Sequence, residues 1–330
     1  MRCHWLSAAA AALCALVTSA GHAATLFSEN FDVDPTSNWT VNGGPSDESA
    51  DFYYDYSAVG IPEAPNSSGS AAATRGLKLQ ANLTGGVFSG LSVSPTGQAF
   101  AGDYRLKFDW WGNYNGPYPH DGNGSTNLST FGVRTNGTTA QWAGATHSSV
   151  WFAAAVDGGA AQDYRAYSPT GLYLPASGVY AAGTTLASAG PPAVFDARND
   201  LHPYYEGLGG VFAPAAQQAL YDPAQSAATR VGSPGLRWHE VEIAKIGDIV
   251  TWTLSGKLIA TVDASALSLS GDNIFFGHSD INAGVSADPN AAALLFTLID
   301  NVVVSRVPEP ASVALMGLAG LGLAAVRRRR

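Results

Sequence analysis

The sequence predicts an all-β protein, an antiparallel two-sheet β-sandwich over residues 25–306. Three observations lead to it. Apolar and polar residues alternate with period two in many separate segments. Clusters of Gly, Pro, Asn, Asp and Ser separate those segments, as turns require. No segment between the termini carries a helical period, and no rhythm of strand and helix calls for a parallel sheet.

The elements follow in order. Thr25 to Phe31 opens the first strand, and Gly76 to Ala81 alternates. Gly102 to Trp110 alternates throughout, which puts Tyr104, Leu106, Phe108 and Trp110 on one face. Phe131 to Arg134 and Ser149 to Ala153 are shorter strands. Trp238 to Lys245, Asp248 to Leu254 and Lys257 to Val262 read as a meander, with Ser255-Gly256 as the tight turn of its second hairpin. Asn273 to His278 is a further strand. Ala292 to Val304 closes the body, its apolar run broken by Asp300-Asn301. Alternation places Phe27, Leu106, Phe108, Ile243, Trp252, Phe275 and Val302 inward. Three stretches rich in turn formers, 42–75, 111–130 and 155–230, are expected as long loops over one edge or face.

Both termini speak of export. Arg2 and His4 precede an apolar stretch, Leu6 to Val17, and Gly21-His22-Ala23 supplies small residues where a signal peptidase reads. Residues 1–24 are therefore expected to be a signal peptide cut after Ala23 or Ala24. The only cysteines, Cys3 and Cys14, fall within it, so the exported body has no disulfide and no cysteine chemistry. At the other end, Val307-Pro308-Glu309-Pro310 is followed by an uncharged apolar run, Ala311 to Val326, and by Arg327, Arg328, Arg329 and Arg330. Two prolines so close together stop both helix and central strand. An apolar run shorter than the roughly 20 residues of a full span is a marginal membrane helix, and arginines hold such an end at the cytoplasmic face.

That order of motif, helix and arginine cluster resembles the PEP-CTERM sorting signal of Gram-negative bacteria. The resemblance implies export, a transient inner-membrane anchor, processing by an exosortase-type enzyme, and delivery to the cell surface or extracellular matrix, in association with exopolysaccharide. It covers residues 307–330 and leaves the body unassigned. The body resembles jelly-roll, concanavalin- and laminin-G-like sandwiches. The phrases that carry this are Glu29 to Asp32 with Trp39, Gly102 to Trp111, the meander from Trp238 to Val262, and Ile299 to Val304.

Charge excludes one class of partner. The chain has 17 basic and 26 acidic residues. Setting aside Arg2, the four terminal arginines and Glu309 leaves 12 basic against 25 acidic in residues 25–306, a net charge of −13. Nucleic-acid binding needs concentrated positive charge, so no nucleic-acid partner is expected.

Catalysis finds little support. Glu240 and Glu242 share one strand face about 7 Å apart, within the spacing of a glycosidase pair. Sandwich-fold glucanases use an E-x-D-x-x-E pattern, and here Lys245 stands where the last acid belongs. No G-x-S-x-G elbow occurs. The expectation is therefore no enzymatic activity, with a sandwich-fold glycoside hydrolase as the remotest alternative. His120, His147, His202, His239 and His278 form no ligand pattern. Asp121 to Asn127 is oxygen-rich but lacks the closing acid of an EF-hand loop. Glu29 on the first strand and Asp300 on the last are the candidate ligands of a structural calcium, because the resemblance puts those strands side by side.

The expected role is structural, at the surface or in the matrix. The alternative is a carbohydrate-binding module. Sugars stack on aromatic rings beside polar partners, and Tyr53, Tyr54 and Asp55, together with Trp111, Tyr114 and Tyr118, are the candidate glycan contacts. Mass spectrometry of the mature protein is expected to find a C-terminus near Pro308 without the arginine tail; recovery of intact Arg330 in the surface form would overturn the processing reading.

Overall fold

A computed structural model of the chain describes residues 23–308 apart from 44–46, 68, 71, 82, 84–87, 117–126, 157–158, 185–186, 189–193 and 281–287. In chain order the strands are β1 (Thr25–Glu29), β2 (Trp39–Asn42), β3 (Ser49–Asp55), β4 (Arg75–Gln80), β5 (Gly90–Pro95), β6 (Tyr104–Asn113), β7 (Asn127–Thr135), β8 (Val150–Ala155) and β9 (Tyr164–Ser168). They continue with β10 (Gly171–Leu172), β11 (Ala187–Ser188), β12 (Val194–Phe195), β13 (Trp238–Ile246), β14 (Ile249–Leu254), β15 (Lys257–Asp263), β16 (Asn273–Asp280) and β17 (Phe296–Arg306).

The strands form two main antiparallel sheets. One has the order β15-β14-β13-β6-β17-β4-β3, with β1 also on β17. The other has the order β10-β9-β8-β7-β16-β5-β2, and β11 with β12 makes a small separate pair. Strand β17 meets β4 at Thr297–Ile299 and β1 at Val302–Ser305, so β4 and β1 lie end to end along one side of it. The other side of β17 runs along β6. First and last strands are adjacent, as the laminin-G-like resemblance implied.

The core lies between the sheets. Tyr104, Leu106, Phe108 and Trp110 on β6 are all buried, and so are Ile243, Trp252 and Val302. Phe108 meets Phe276 edge-on at 4.9 Å and Phe131 at 5.4 Å, so the two sheets interlock through rings. Trp252 sits among Phe131, Phe152 and Tyr164. Phe27 is partly buried against Trp39 and Phe100.

Phe275 departs from the expected inward set. It is buried, but on the opposite face of its sheet, in a second apolar cluster with Trp151, Tyr167 and Leu128. The core side of β16 is taken by Ile274 and Phe276. Three consecutive apolar residues in a strand cannot all face one way, and period-two reading cannot choose between them when both faces are covered. In the second cluster Trp151 and Tyr167 stack at 3.7 Å with their planes 2° apart, and His147 meets both rings edge-on.

The expected loops contain more structure than turn formers suggest. The 42–75 stretch contains β3, an edge strand, and a 3-10 turn at Tyr56–Val59. The 155–230 stretch contains β9 to β12 and is pinned by its tyrosines. Tyr164, Tyr180 and Tyr205 are buried, and their hydroxyls donate to the carbonyls of Gly232, Tyr173 and Ala197. A tyrosine can fill apolar space with its ring and satisfy a buried carbonyl with its tip.

Among the described residues helix is limited to short turns such as Ala215–Gln218 and Ala291–Leu294. Among the described residues no helix is long and apolar enough to cross a membrane. The helices expected in the two terminal segments lie in residues 1–22 and 309–330, outside the described residues.

Replacing Trp252, which is wholly buried, with Ala is expected to lower stability by about 3–5 kcal/mol. Ile249→Ala, at a position 39% exposed, should change it by no more than about 0.5 kcal/mol. Urea unfolding followed by tryptophan fluorescence and circular dichroism measures both.

Candidate functional site

The partner of β17 changes from β4 to β1 around Asp300-Asn301, and the register against β6 shifts there. Asn301 takes a left-handed backbone, φ 52°, a conformation that Asn tolerates better than most residues. Asp300 stands opposite Asp109 of β6, and both are buried. A buried polar side chain needs partners, and a chain segment from the 61–74 loop supplies them. Asn66 donates to Asp109 through its backbone N–H at 2.9 Å and its Nδ2 at 2.8 Å. Asn301 Nδ2 adds a third donor at 2.8 Å.

Asp300 is held differently. Its Oδ1 accepts the Asn301 N–H at 2.7 Å. Its Oδ2 lies 2.9 Å from the hydroxyl of Tyr56, which is also 2.8 Å from the Ala73 carbonyl and receives the Ala64 N–H at 3.2 Å. The phenol has one hydrogen for two of these contacts, and the Ala73 carbonyl can only accept. The Tyr56 hydroxyl donates towards both Asp300 Oδ2 and the Ala73 carbonyl, one hydrogen shared between two acceptors. Burial pushes the Asp300 carboxyl up to about 8, and the negative charges of Asp109 and Asp32 push the same way.

Beside this buried pair is an open depression of about 480 Å³. Glu29, Asn66, Lys107, Glu240 and Asn301 line it together with the apolar Val302 and Val303. Glu29 is half-buried, its Oε1 accepts the Phe31 N–H at 2.9 Å, and burial raises its carboxyl.

The expected calcium pair, Glu29 and Asp300, can now be judged by its donor set. The two lie near each other, since Glu29 pairs with Val302. Calcium asks for six to eight oxygen ligands with lone pairs free. Asp300 accepts from the Asn301 N–H and the Tyr56 hydroxyl, Asp109 is occupied by three N–H donors, and no group of three or more His, Cys, Asp or Glu suited to a metal occurs among the described residues. The residues present do not fit the ion in this arrangement.

Glu240 and Glu242 do share the outer face, and β6 meets them with bases. Glu242 pairs with Arg105 at 2.7 Å and Lys107 at 3.3 Å, and Glu240 pairs with Lys107 at 3.0 Å. His239 and His278 are buried and pushed down to about 3 by burial, with Nδ1 against Ser255 and Thr297 hydroxyls. They are neutral packing groups.

The aromatic candidates separate. Trp111 and Tyr114 are only 3% and 2% exposed. Trp111 packs on Trp238 and donates Nε1 to Asn113, while Tyr114 packs on Tyr221 and donates its hydroxyl to Ala228 O. Their ring faces are internal, because the end of β6 is roofed by the 204–238 segment. Tyr54 is half-buried beneath Lys78 and against Phe296. Tyr53 reaches the surface with one face under Arg75, and Asp55 caps the 3-10 turn and pairs with Arg75. Tyr118 lies outside the described residues. The structure therefore does not gather the five described candidates into one surface. What sequence reading missed is the Tyr56–Asn66–Asp109–Asn301 network. Its one visible trace was a polar pair interrupting the apolar run at Asp300-Asn301.

The two ends of the body meet at one edge. Arg306 N–H donates to Ala24 O at 2.8 Å, and Val307 N–H donates to Asp103 O at 3.1 Å. Pro308 follows, exposed and with no N–H to offer. The family pattern described as the PEP-CTERM protein-sorting motif matches residues 306–330. The chain ends in a PEP-CTERM motif. Such a motif marks an exported protein that an exosortase-type enzyme sorts to the cell surface. The match covers Val307, Pro308, Glu309, Pro310 and the four arginines, of which Val307 and Pro308 are described. The PEP-CTERM motif thus begins where the last sheet bonds end.

No curated protein matches the chain. Among solved structures it is similar to a protein of unknown function with a galectin-like fold from Bacillus subtilis, at 10% identity and TM-score 0.39, covering 86% of this chain and 96% of that one. It is also similar to a carbohydrate binding module from Bacillus subtilis, at 9% identity and TM-score 0.36, covering 81% and 95%. A third is a beta-glucanase from Bacillus licheniformis, at 11% identity and TM-score 0.35, covering 86% and 98%. At these scores the likenesses carry no argument about ligand or activity, and the sandwich rests on its own strand pairing.

Asp300 yields a pH test. The folded protein keeps the carboxyl proton up to about pH 8, whereas the unfolded chain releases it near the ordinary carboxylate value of 3.8. The native state therefore binds more protons in that interval, and this contribution to stability is full below about pH 4 and lost as pH rises towards about 8. Asp300→Asn keeps an acceptor for the Tyr56 hydroxyl and cannot titrate. The stability difference between the variant and the native protein, from urea unfolding at several pH values, should move in favour of the variant as pH rises through that window; a constant difference would show that Asp300 is not protonated.

Proposed function

We propose that this protein is a non-catalytic structural component of the cell surface or extracellular matrix, associated with exopolysaccharide and delivered there by exosortase-type sorting. The observation that carries the reading is the junction at Arg306–Pro308. The sorting motif continues directly from β17, a strand paired on both sides inside the larger sheet. What the motif delivers is therefore the whole sandwich, with only Pro308, Glu309 and Pro310 between its last sheet bond and the apolar run. The apolar run 311–326 serves as the transient inner-membrane anchor after a signal peptidase has cut behind Ala23, which leaves Ala24 to accept the Arg306 N–H.

The reading as a non-enzyme is supported by how the carboxylates are used. Glu240 and Glu242 are tied to bases, and Asp109 and Asp300 are sealed beneath Asn66 and Tyr56. A glycosidase needs an acid and a second carboxylate open to the same sugar.

A second reading, contact with carbohydrate, is favoured by the depression beside β1. It offers Glu29, Asn66, Lys107, Glu240 and Asn301 to a hydroxyl-rich ligand. Such a wet, open surface recovers little beyond the desolvation it requires, so each contact would be weak, with many surface copies compensating through avidity.

The mature protein is expected to bind the producing cell's exopolysaccharide with a dissociation constant of roughly 1 mM per site, a value at the weak end of recognition. Lys107→Ala with Glu240→Ala removes an exposed pair whose structural contribution is small. It should weaken that binding about tenfold, the loss expected from one or two hydrogen bonds. Calorimetry on purified polysaccharide measures it. Unchanged binding by the double variant would remove the depression from consideration, and absence of any binding would leave the purely structural role.

A further inference from the structure

The end of β17 is paired up to the edge of the sorting motif. Ser305 faces Thr25 of β1 on one side and Arg105 of β6 on the other, and Arg306 faces Tyr104. The last two bonds are Arg306 N–H to Ala24 O and Val307 N–H to Asp103 O. Pro308, with no N–H, ends the pairing. The apolar segment begins at Ala311. Four residues span at most about 14 Å, so the folded body stands against the membrane surface while the anchor is in place.

A processing enzyme needs an extended stretch of backbone on its substrate, with N–H and C=O groups free to pair. Upstream of Pro308 the N–H groups of Arg306 and Val307 are already bonded to Ala24 and Asp103. Side-chain burial then sets how far the strand end can open. Arg306 and Pro308 are exposed and Ser305 and Val307 are only partly covered, while Val304 and Val302 are fully buried. Lifting Ser305 to Val307 breaks end bonds but exposes little apolar surface. Going further would pull Val304 out of the core. The strand thus has a short end that can fray and a firm stop behind it.

We propose that Ser305–Val307 must peel from β1 and β6 before the exosortase-type enzyme can engage the motif, so the sandwich itself limits the rate of its own processing. The proposal rests on the reading that such an enzyme cuts this chain. The partner is a membrane-bound peptidase that takes an extended segment, and the surface it approaches is the edge formed by Ala24, Asp103, Tyr104 and Arg306. Because the competent form is the frayed one, apparent recognition scales with the frayed fraction. Closing β1 onto β17 lowers that fraction. The N-terminal strand therefore takes part in timing an event at the other end of the chain.

The experiment uses the full chain co-expressed with an exosortase-type enzyme, with loss of the arginine tail followed by mass spectrometry. Arg105→Cys with Ser305→Cys places two cysteines at register partners, where antiparallel spacing suits a disulfide. In the oxidised form this staple should slow processing about tenfold or more, since it removes most of the frayed population. Reduction of the same protein should restore the native rate, which separates gating from misfolding. A Gly/Ser linker of roughly six residues, inserted between Val307 and Pro308, reaches about 20 Å. It should speed processing and make it indifferent to the staple. Equal rates for native, stapled and linker-extended chains would overturn the proposal. A native chain left uncut, or one cut equally well after Pro308→Ala with Pro310→Ala, would overturn the sorting reading, and the proposal with it.

Discussion

Strand β17 lies between β6 on one side and, end to end, β4 and β1 on the other, so three strands satisfy the backbone of one. A backbone in the middle of a sheet has no water to fall back on, and each of its polar groups must be met by protein. Where β4 gives way to β1, the ladder has a break. Asp300, Asn301 and the loop bearing Asn66 and Ser67 close it with side chains instead of strand. The buried carboxyl pair thus completes the sheet at the one place where strands cannot. That also explains how two acids remain inside: one is surrounded by N–H donors, and the other, its carboxyl pushed up by burial, is bonded to the Asn301 N–H and the Tyr56 hydroxyl.

Aromatic residues hold the rest. Phe108, Phe131, Phe276, Trp252 and Phe152 interlock between the sheets through edge-on and stacked contacts. The Trp151–Tyr167 stack fills the far face of the smaller sheet. Tyrosines fasten the long 155–230 segment by their hydroxyls. A body without cysteine gains its order from these contacts, which suits an oxidising compartment where stray thiols would pair. Among the described residues few rings remain at the surface, so stacking recognition of sugars has little material there, and polar contact in the depression beside β1 is the form that carbohydrate association would take.

The junction between body and motif links fold to sorting. Ala24, next to the expected signal-peptide cut behind Ala23, accepts a bond from Arg306, at the start of the PEP-CTERM motif. The two membrane-directed ends thus leave the sandwich at one edge. A chain built this way cannot complete its larger sheet until its last strand has crossed the membrane, because β17 is the strand that β1, β4 and β6 all need.

The amino-acid sequence by itself determined the strands with clean alternation, such as Tyr104 to Trp110 and the Trp238 to Val262 meander, because period two is local and survives any packing. It also determined the sorting motif, a linear signal read by order and composition alone. Tertiary structure decided which faces were covered. Phe275 turned to the second cluster, and Trp111 and Tyr114 turned inward, since burial depends on segments far along the chain. The Asp109–Asp300 pair was invisible for the same reason: 191 positions of sequence separate them, and only sheet register sets them opposite each other. A strand's pattern is written in its own residues; what stands across from it is written elsewhere.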